Sequence, residues 1–149
     1  MQLKPNFYQN LFGQQHLPAD YQLYVNINAH EDSSLFQADA GIIVPWSEAA
    51  RRVQDWDNFC TKYPDSKLAK QAQENYTYYM DCFLLGEDNT RTVEDGQLVP
   101  EVKEAFEQYV AEYPGTRGGR LVAAFLQLLA ETKDRDRLNA WVRERLGTE

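Results

Sequence analysis

Only two histidines stand in the 149-residue chain, His16 and His30, and the second opens the run His30-Glu31-Asp32-Ser33-Ser34. An imidazole beside carboxylates and hydroxyls is material for acid–base or nucleophilic chemistry, which needs a base held within hydrogen-bond reach of a nucleophile. Side chains adjacent in sequence point apart, so this run predicts a solvated loop and helix cap rather than a triad. Two cysteines and two histidines without short ligand spacing exclude the usual zinc patterns. The stretch from Glu87 to Asp95 is rich in oxygens but lacks the Asp-x-Asp-x-Asp-Gly spacing of a calcium loop. The residues therefore predict no enzyme, no metal and no cofactor.

Cys60 and Cys82 would face each other only across a helical hairpin turning near Asp65, where Cys60 lies opposite about Lys70. Cys82 would then be displaced by roughly twelve residues, on the order of 18 Å at helical rise, so free thiols are expected. Tyr76 and Tyr79 have the spacing of a core face, whereas Tyr78 is rotated away toward Cys82 and Leu85. Two readings fit Tyr78: a ring on a binding surface, or a support for the aromatic N-terminal segment, the second being favoured.

The elements that must position these groups are mostly helical. A hydrophobic share of 43%, with 13% aromatic, is ample for one core in a chain of this length. The net charge of −8 offers no basic surface for a phosphate backbone and argues against nucleic acid as a partner. Residues 81–112 hold nine acids against two bases, Arg91 and Lys103, so most of the charge sits there. No apolar run reaches the roughly 18 to 20 residues of a membrane span, and no charged-then-apolar signal opens the chain. Met1-Gln-Leu-Lys-Pro is compatible with a start that replaces a removed signal or lipid-anchor region.

Residues 1–44 are the least regular. Phe7, Tyr8, Leu11 and Phe12 predict a short helix ended by Gly13. Residues 19–30 read either as a strand, from the alternation Tyr21, Leu23, Val25, Ile27, or as a helix packing Tyr21, Tyr24, Val25 and Asn28 on one side. The helical surroundings favour the helix. From Pro45 the pattern sharpens: Trp46, Ala49, Ala50, Val53, Trp56, Phe59, Cys60 and Tyr63 follow steps of three and four up to Pro64. Asp65 and Ser66 offer caps to a second helix carrying Leu68, Ala69, Ala72, Tyr76, Tyr79 and Phe83, stopped by Gly86. These make a first hairpin over 45–86. An acidic loop over 87–99 holds the turn formers Asp88-Asn89 and Asp95-Gly96. A second hairpin over 100–132 follows, with Val102, Ala105, Phe106, Tyr109, Val110 and Tyr113, then Thr116, Leu121, Val122, Phe125, Leu128 and Leu129. Leu138, Trp141, Val142 and Leu146 mark a capping helix over 133–147.

The two hairpins repeat after about fifty residues: Trp56, Phe59, Tyr63-Pro64, Ser66, Ala69 and Ala72 match Phe106, Tyr109, Tyr113-Pro114, Thr116, Gly119 and Val122. This pattern resembles the tetratricopeptide-like repeats of bacterial envelope proteins, such as the outer-membrane lipoprotein of the β-barrel assembly machinery and the periplasmic coordinator of cell division with the Tol-Pal system. It covers about half the chain, and its period departs from the standard repeat of about 34 residues through the loop 87–99. The resemblance implies an all-α single domain that binds another protein or an extended peptide without catalysis. It also implies a periplasmic or outer-membrane-anchored location if a signal has been removed, and a cytoplasmic one otherwise.

In repeats of this type the first helix of each hairpin lines the concave side. Opposite the core, the first hairpin presents Arg51, Asp55, Asn58 and Lys62, and the second presents Glu101, Glu104, Gln108 and Glu112. One stripe is mixed and the other acidic, which predicts either a plain solvated face or a groove selecting a basic or extended segment. An alternative reading is a small acidic inhibitor or immunity protein that masks a basic partner site through charge complementarity.

Overall fold

A computed structural model describes residues 16–148 and contains six helices among them. They are α1 (Ala19–Glu31), α2 (Trp46–Lys62), α3 (Ala69–Leu85), α4 (Pro100–Glu112), α5 (Arg117–Glu131) and α6 (Arg135–Leu146). The expected helix on Phe7, Tyr8, Leu11 and Phe12 lies outside the described residues.

The duplicated Tyr-Pro units have one geometry. Proline disfavours helical dihedrals in the residue before it, and Tyr63 (φ −129°, ψ 59°) and Tyr113 (φ −124°, ψ 48°) leave the helix alike. Tyr63 N donates to Phe59 O and Tyr113 N to Tyr109 O, both at 2.9 Å; Ser66 N and Thr116 N then reach back to the two tyrosine carbonyls, both at 3.2 Å. The copies differ at the next helix start. Thr116 Oγ1 accepts from Gly119 N and α5 begins at Arg117, whereas Ser66 Oγ accepts from Leu68 N, donates to Asp20 Oδ2, and α3 begins only at Ala69.

The ends of α2 and α3 meet at Trp46 and Phe83, whose rings lie 6.3 Å apart, so the two helices run antiparallel. Their buried rings continue into the second hairpin through Phe83, Phe106 and Phe125, and α6 closes the core with Leu138 and Val142. Trp56, Phe59, Tyr76, Phe106, Tyr109 and Phe125 are all buried, as their spacing predicts.

Three corrections follow. First, the chain is α-rich rather than all-α, because three two-stranded antiparallel hairpins interrupt it. These are β1 (Gln37–Ala38) with β2 (Gly41–Ile42), β3 (Gly86–Glu87) with β4 (Thr90–Arg91), and β5 (Val93–Glu94) with β6 (Gln97–Leu98). The stretch 87–99 is thus built from hairpins, with Asp88-Asn89 and Asp95-Gly96 as their turns. Second, residues 19–31 are helical, but the face turned to the core is Leu23, Tyr24 and Ile27 rather than Tyr21, Tyr24, Val25 and Asn28. Tyr24 sets its edge against the Trp56 and Phe59 rings at 5.2 and 5.7 Å. Third, His30-Glu31-Asp32 closes α1 instead of capping a new helix, and Glu31 turns inward.

The molecule consequently has two unlike ends. Both Tyr-Pro turns and the start of α1 lie at one. At the other, Asn89 N bonds Ala40 O and Ile42 N bonds Thr90 Oγ1, which ties the first two hairpins together across 49 and 48 positions of sequence. Tyr78 braces this end: its hydroxyl donates to Gln37 Oε1 at 2.7 Å and its ring meets Phe36 edge-on, in accord with the supporting role.

Candidate groove between the first helices of the two hairpins

Helices α2 and α4 pack side by side, and small residues let them leave a groove of about 270 Å³. Ser47, Ala50 and Arg51 form one wall; Ala105, Gln108, Tyr109, Glu112 and Tyr113 form the other. Of the eight residues expected on the partner face, Arg51, Gln108 and Glu112 meet here. Asp55 adjoins through an ion pair to Arg51 Nη1. Asn58, Lys62, Glu101 and Glu104 are exposed but do not line the groove; Lys62 lies over the Tyr63 ring, and Glu104 accepts from Gln108 Nε2 at 3.4 Å.

The positive charge in the groove is already answered. Arg51 grips Glu48 through Nε and Nη2 at 2.9 and 3.0 Å, while Glu48 Oε1 also receives Arg52 Nε at 2.9 Å. The hydrogen bonds from Arg51, reinforced by those from Arg52 and opposed by burial, lower the Glu48 carboxyl to a pKa of about 2. Burial raises the Asp55 pKa, and the nearby Arg51 charge pulls it back. With Arg51 and Arg52 balanced by Glu48 and Asp55, Glu112 in the groove and Glu104 beside Gln108 leave an acidic surplus. Tyr113 OH donates to Glu112 Oε1 at 2.9 Å and Tyr109 OH to Gln54 Oε1 at 3.1 Å, so the aromatic wall is held in place by its own polar ends.

No family model matches the chain, and no curated protein or solved structure matches it either.

Next to Arg51 along α2, Arg52 is the centre of a buried polar hub. Arg52, 2% exposed, donates from Nη1 to Tyr79 OH and from Nη2 to Glu31 O, Ser34 O and Ser34 Oγ. Glu31 accepts Trp56 Nε1 at 2.6 Å and Tyr79 OH at 3.1 Å. Burial raises the Glu31 carboxyl, against the pull of these donors and of Arg52. The hub locks the end of α1 onto α2 and α3. His30 Nε2 lies 3.6 Å from Glu48 Oε2, and Ser33 Oγ donates to His30 O, so that hydroxyl serves the backbone. Cys60 is half-buried and Cys82 buried, both as free thiols, with Cys82 Sγ 3.1 Å from Glu87 Oε1. Among the described residues, no group of three or more His, Cys, Asp or Glu is placed to hold a metal ion, and no helix is long and apolar enough to cross a membrane.

The sequence marked the stripes but missed the groove walls. Ala50 and Ala105 read as ordinary core residues, yet their small size is what opens the space, and Tyr109 and Tyr113 read only as core. The aromatic pair at steps of four beside an acidic stripe was the available signal.

Proposed function

We propose that this protein is a non-catalytic interaction module with a tetratricopeptide-like scaffold, and that the α2–α4 groove takes an extended, basic peptide segment of another protein. The observation that carries the reading is the neutralised Arg51: an acidic, tyrosine-walled groove lies between the first helices of two equivalent hairpins, with its one cation spoken for. Tyrosine supplies contact area at low entropy cost, and the acidic rim would steer a basic segment toward it. A periplasmic or outer-membrane-anchored setting fits the resemblance of the Tyr-Pro units.

The test is capture of basic peptides by the native protein and by Glu104→Lys/Glu112→Lys, at low and high salt. Binding should fall with ionic strength, because exposed charges are screened over about 8 Å at physiological salt. The double reversal should weaken it while leaving the thermal midpoint unchanged, as both side chains are exposed. Equal affinity under all four conditions would remove the groove from consideration. A single tight partner that loses its own activity on binding would instead favour the inhibitor reading.

A further inference from the structure

A second cavity, of about 330 Å³, lies at the opposite end under the β5–β6 hairpin. The hairpin is fastened at both ends. At its base Thr92, 1% exposed, donates from Oγ1 to Leu84 O at 2.7 Å, and Val99 N bonds Thr92 O at 2.9 Å. At its tip Gly96, with φ +73°, makes room for the Lys133 stem; a Cβ there would sit 2.7 Å from Lys133 Cδ. The apolar part of the lining is Leu85 and Val93, both partly exposed, with Phe125 and Leu138 buried behind them.

Three cations line this cavity from separate elements: Arg91 from β4, Lys133 from the link after α5, and Arg135 from the first turn of α6. Among the described residues none of the three forms an ion pair, in a chain where acids outnumber bases. Glu94 and Asp95, neighbours on the β5–β6 hairpin, also line the cavity, so the three cations face two acids and the lining keeps a positive balance. Asp134 already accepts from the first-turn amides of α6, so the helix end adds little and the side-chain cations dominate. The volume is at the small end of the roughly 300–1,000 Å³ of ligand pockets, and the polar share of the lining suits a charged ligand.

We propose that the cavity under the β5–β6 hairpin binds a small organic anion, its apolar body against Leu85 and Val93 and its carboxylate among Arg91, Lys133 and Arg135.

Benzoate is the probe, with benzylamine and inorganic phosphate as controls, read by amide shifts in isotopically labelled full-length protein. Benzoate should give saturable shifts centred on Gly96, Leu138 and Asn139 at concentrations where benzylamine and phosphate give none. Arg91→Gln/Lys133→Gln/Arg135→Gln should weaken benzoate about tenfold or more, since charge-assisted bonds are lost, with an unchanged thermal midpoint. All three side chains are exposed, and Gln at 133 keeps most of the stem over Gly96. The comparison of benzoate with benzylamine on the native protein stands without any variant. Absence of saturation, benzylamine or phosphate binding as tightly as benzoate, or a triple variant that binds benzoate as before would each overturn the proposal.

Discussion

Asp57, in the middle of α2, caps a helix from the other hairpin: its Oδ2 accepts the Gly118 backbone N–H at 2.9 Å, and its Oδ1 accepts Arg117 Nε at 3.1 Å. Arg117 in turn donates to Gln73 Oε1 and stacks 3.8 Å above the Tyr76 ring. One buried carboxylate therefore joins α2, α3 and the start of α5.

Removing that carboxylate leaves the Gly118 amide unpaired in a place 1% exposed at Asp57. Asp57→Ala should cost about 2–4 kcal/mol by urea denaturation, set by the stranded donor more than by the half-exposed arginine. Asp57→Asn keeps an acceptor for Gly118 and should lose only about 1 kcal/mol. Equal losses for the two variants would mean that the charge, not the amide bond, holds the hairpins together.

The glycines after the second Tyr-Pro unit carry opposing expectations. Helix propensity alone gives Gly→Ala a gain of about 1 kcal/mol inside a helix. At Gly119, however, a Cβ would lie 1.8 Å from Tyr113 O, and at Gly118 2.5 Å from Tyr109 Oη. A backbone carbonyl cannot step aside as a side-chain tip can. Gly119→Ala should therefore destabilise by about 3 kcal/mol or more and Gly118→Ala by less, while Gly115→Ala, with nothing within 4 Å, should stay within about 0.5 kcal/mol of the parent. A stabilised Gly119→Ala in thermal denaturation would contradict this turn geometry.

These contacts also mark where the sequence stops being readable. The helices from Pro45 onward and the Tyr-Pro breaks were legible because apolar spacing and proline act locally. The turn at Asp95-Gly96 was legible too, but strands of two residues are too short to show any alternation, so the hairpins read as loop. Residues 19–30 read as helix on the strength of their surroundings alone, because their own apolar residues fit a strand nearly as well. Arg52 and Asp57 carried no signal of burial at all. Their partners include backbone atoms of Glu31, Ser34 and Gly118, which leave no trace in residue type, and side chains from other elements such as Tyr79 and Arg117. The meeting of Arg51, Gln108 and Glu112 was half visible as two stripes; that α2 and α4 lie together needed the fold.

Glu48 and Glu31, both held near Arg52, should respond to pH in opposite directions. Hydrogen bonds from Arg51, then those from Arg52 against the cost of burial, lower Glu48 from 4.5 to about 2 in the folded chain. Its contribution is thus fully present above pH 4.5 and is lost as pH falls toward 2. Burial raises Glu31 above its ordinary 4.5, so its ionisation works against the fold and its contribution declines as pH rises from 4.5 through the raised value. In urea titrations across this range, the stability difference between the native protein and Glu48→Gln should be largest at neutral pH and shrink toward pH 2, because protonated Glu48 and glutamine offer the arginines similar neutral acceptors. Glu31→Gln should show the reverse, gaining on the native protein as pH rises above 4.5 while keeping an acceptor for Trp56 Nε1. Parallel profiles for all three proteins would mean that neither carboxylate changes its proton affinity on folding, and the hub around Arg52 would then owe its stability to packing and neutral hydrogen bonds alone.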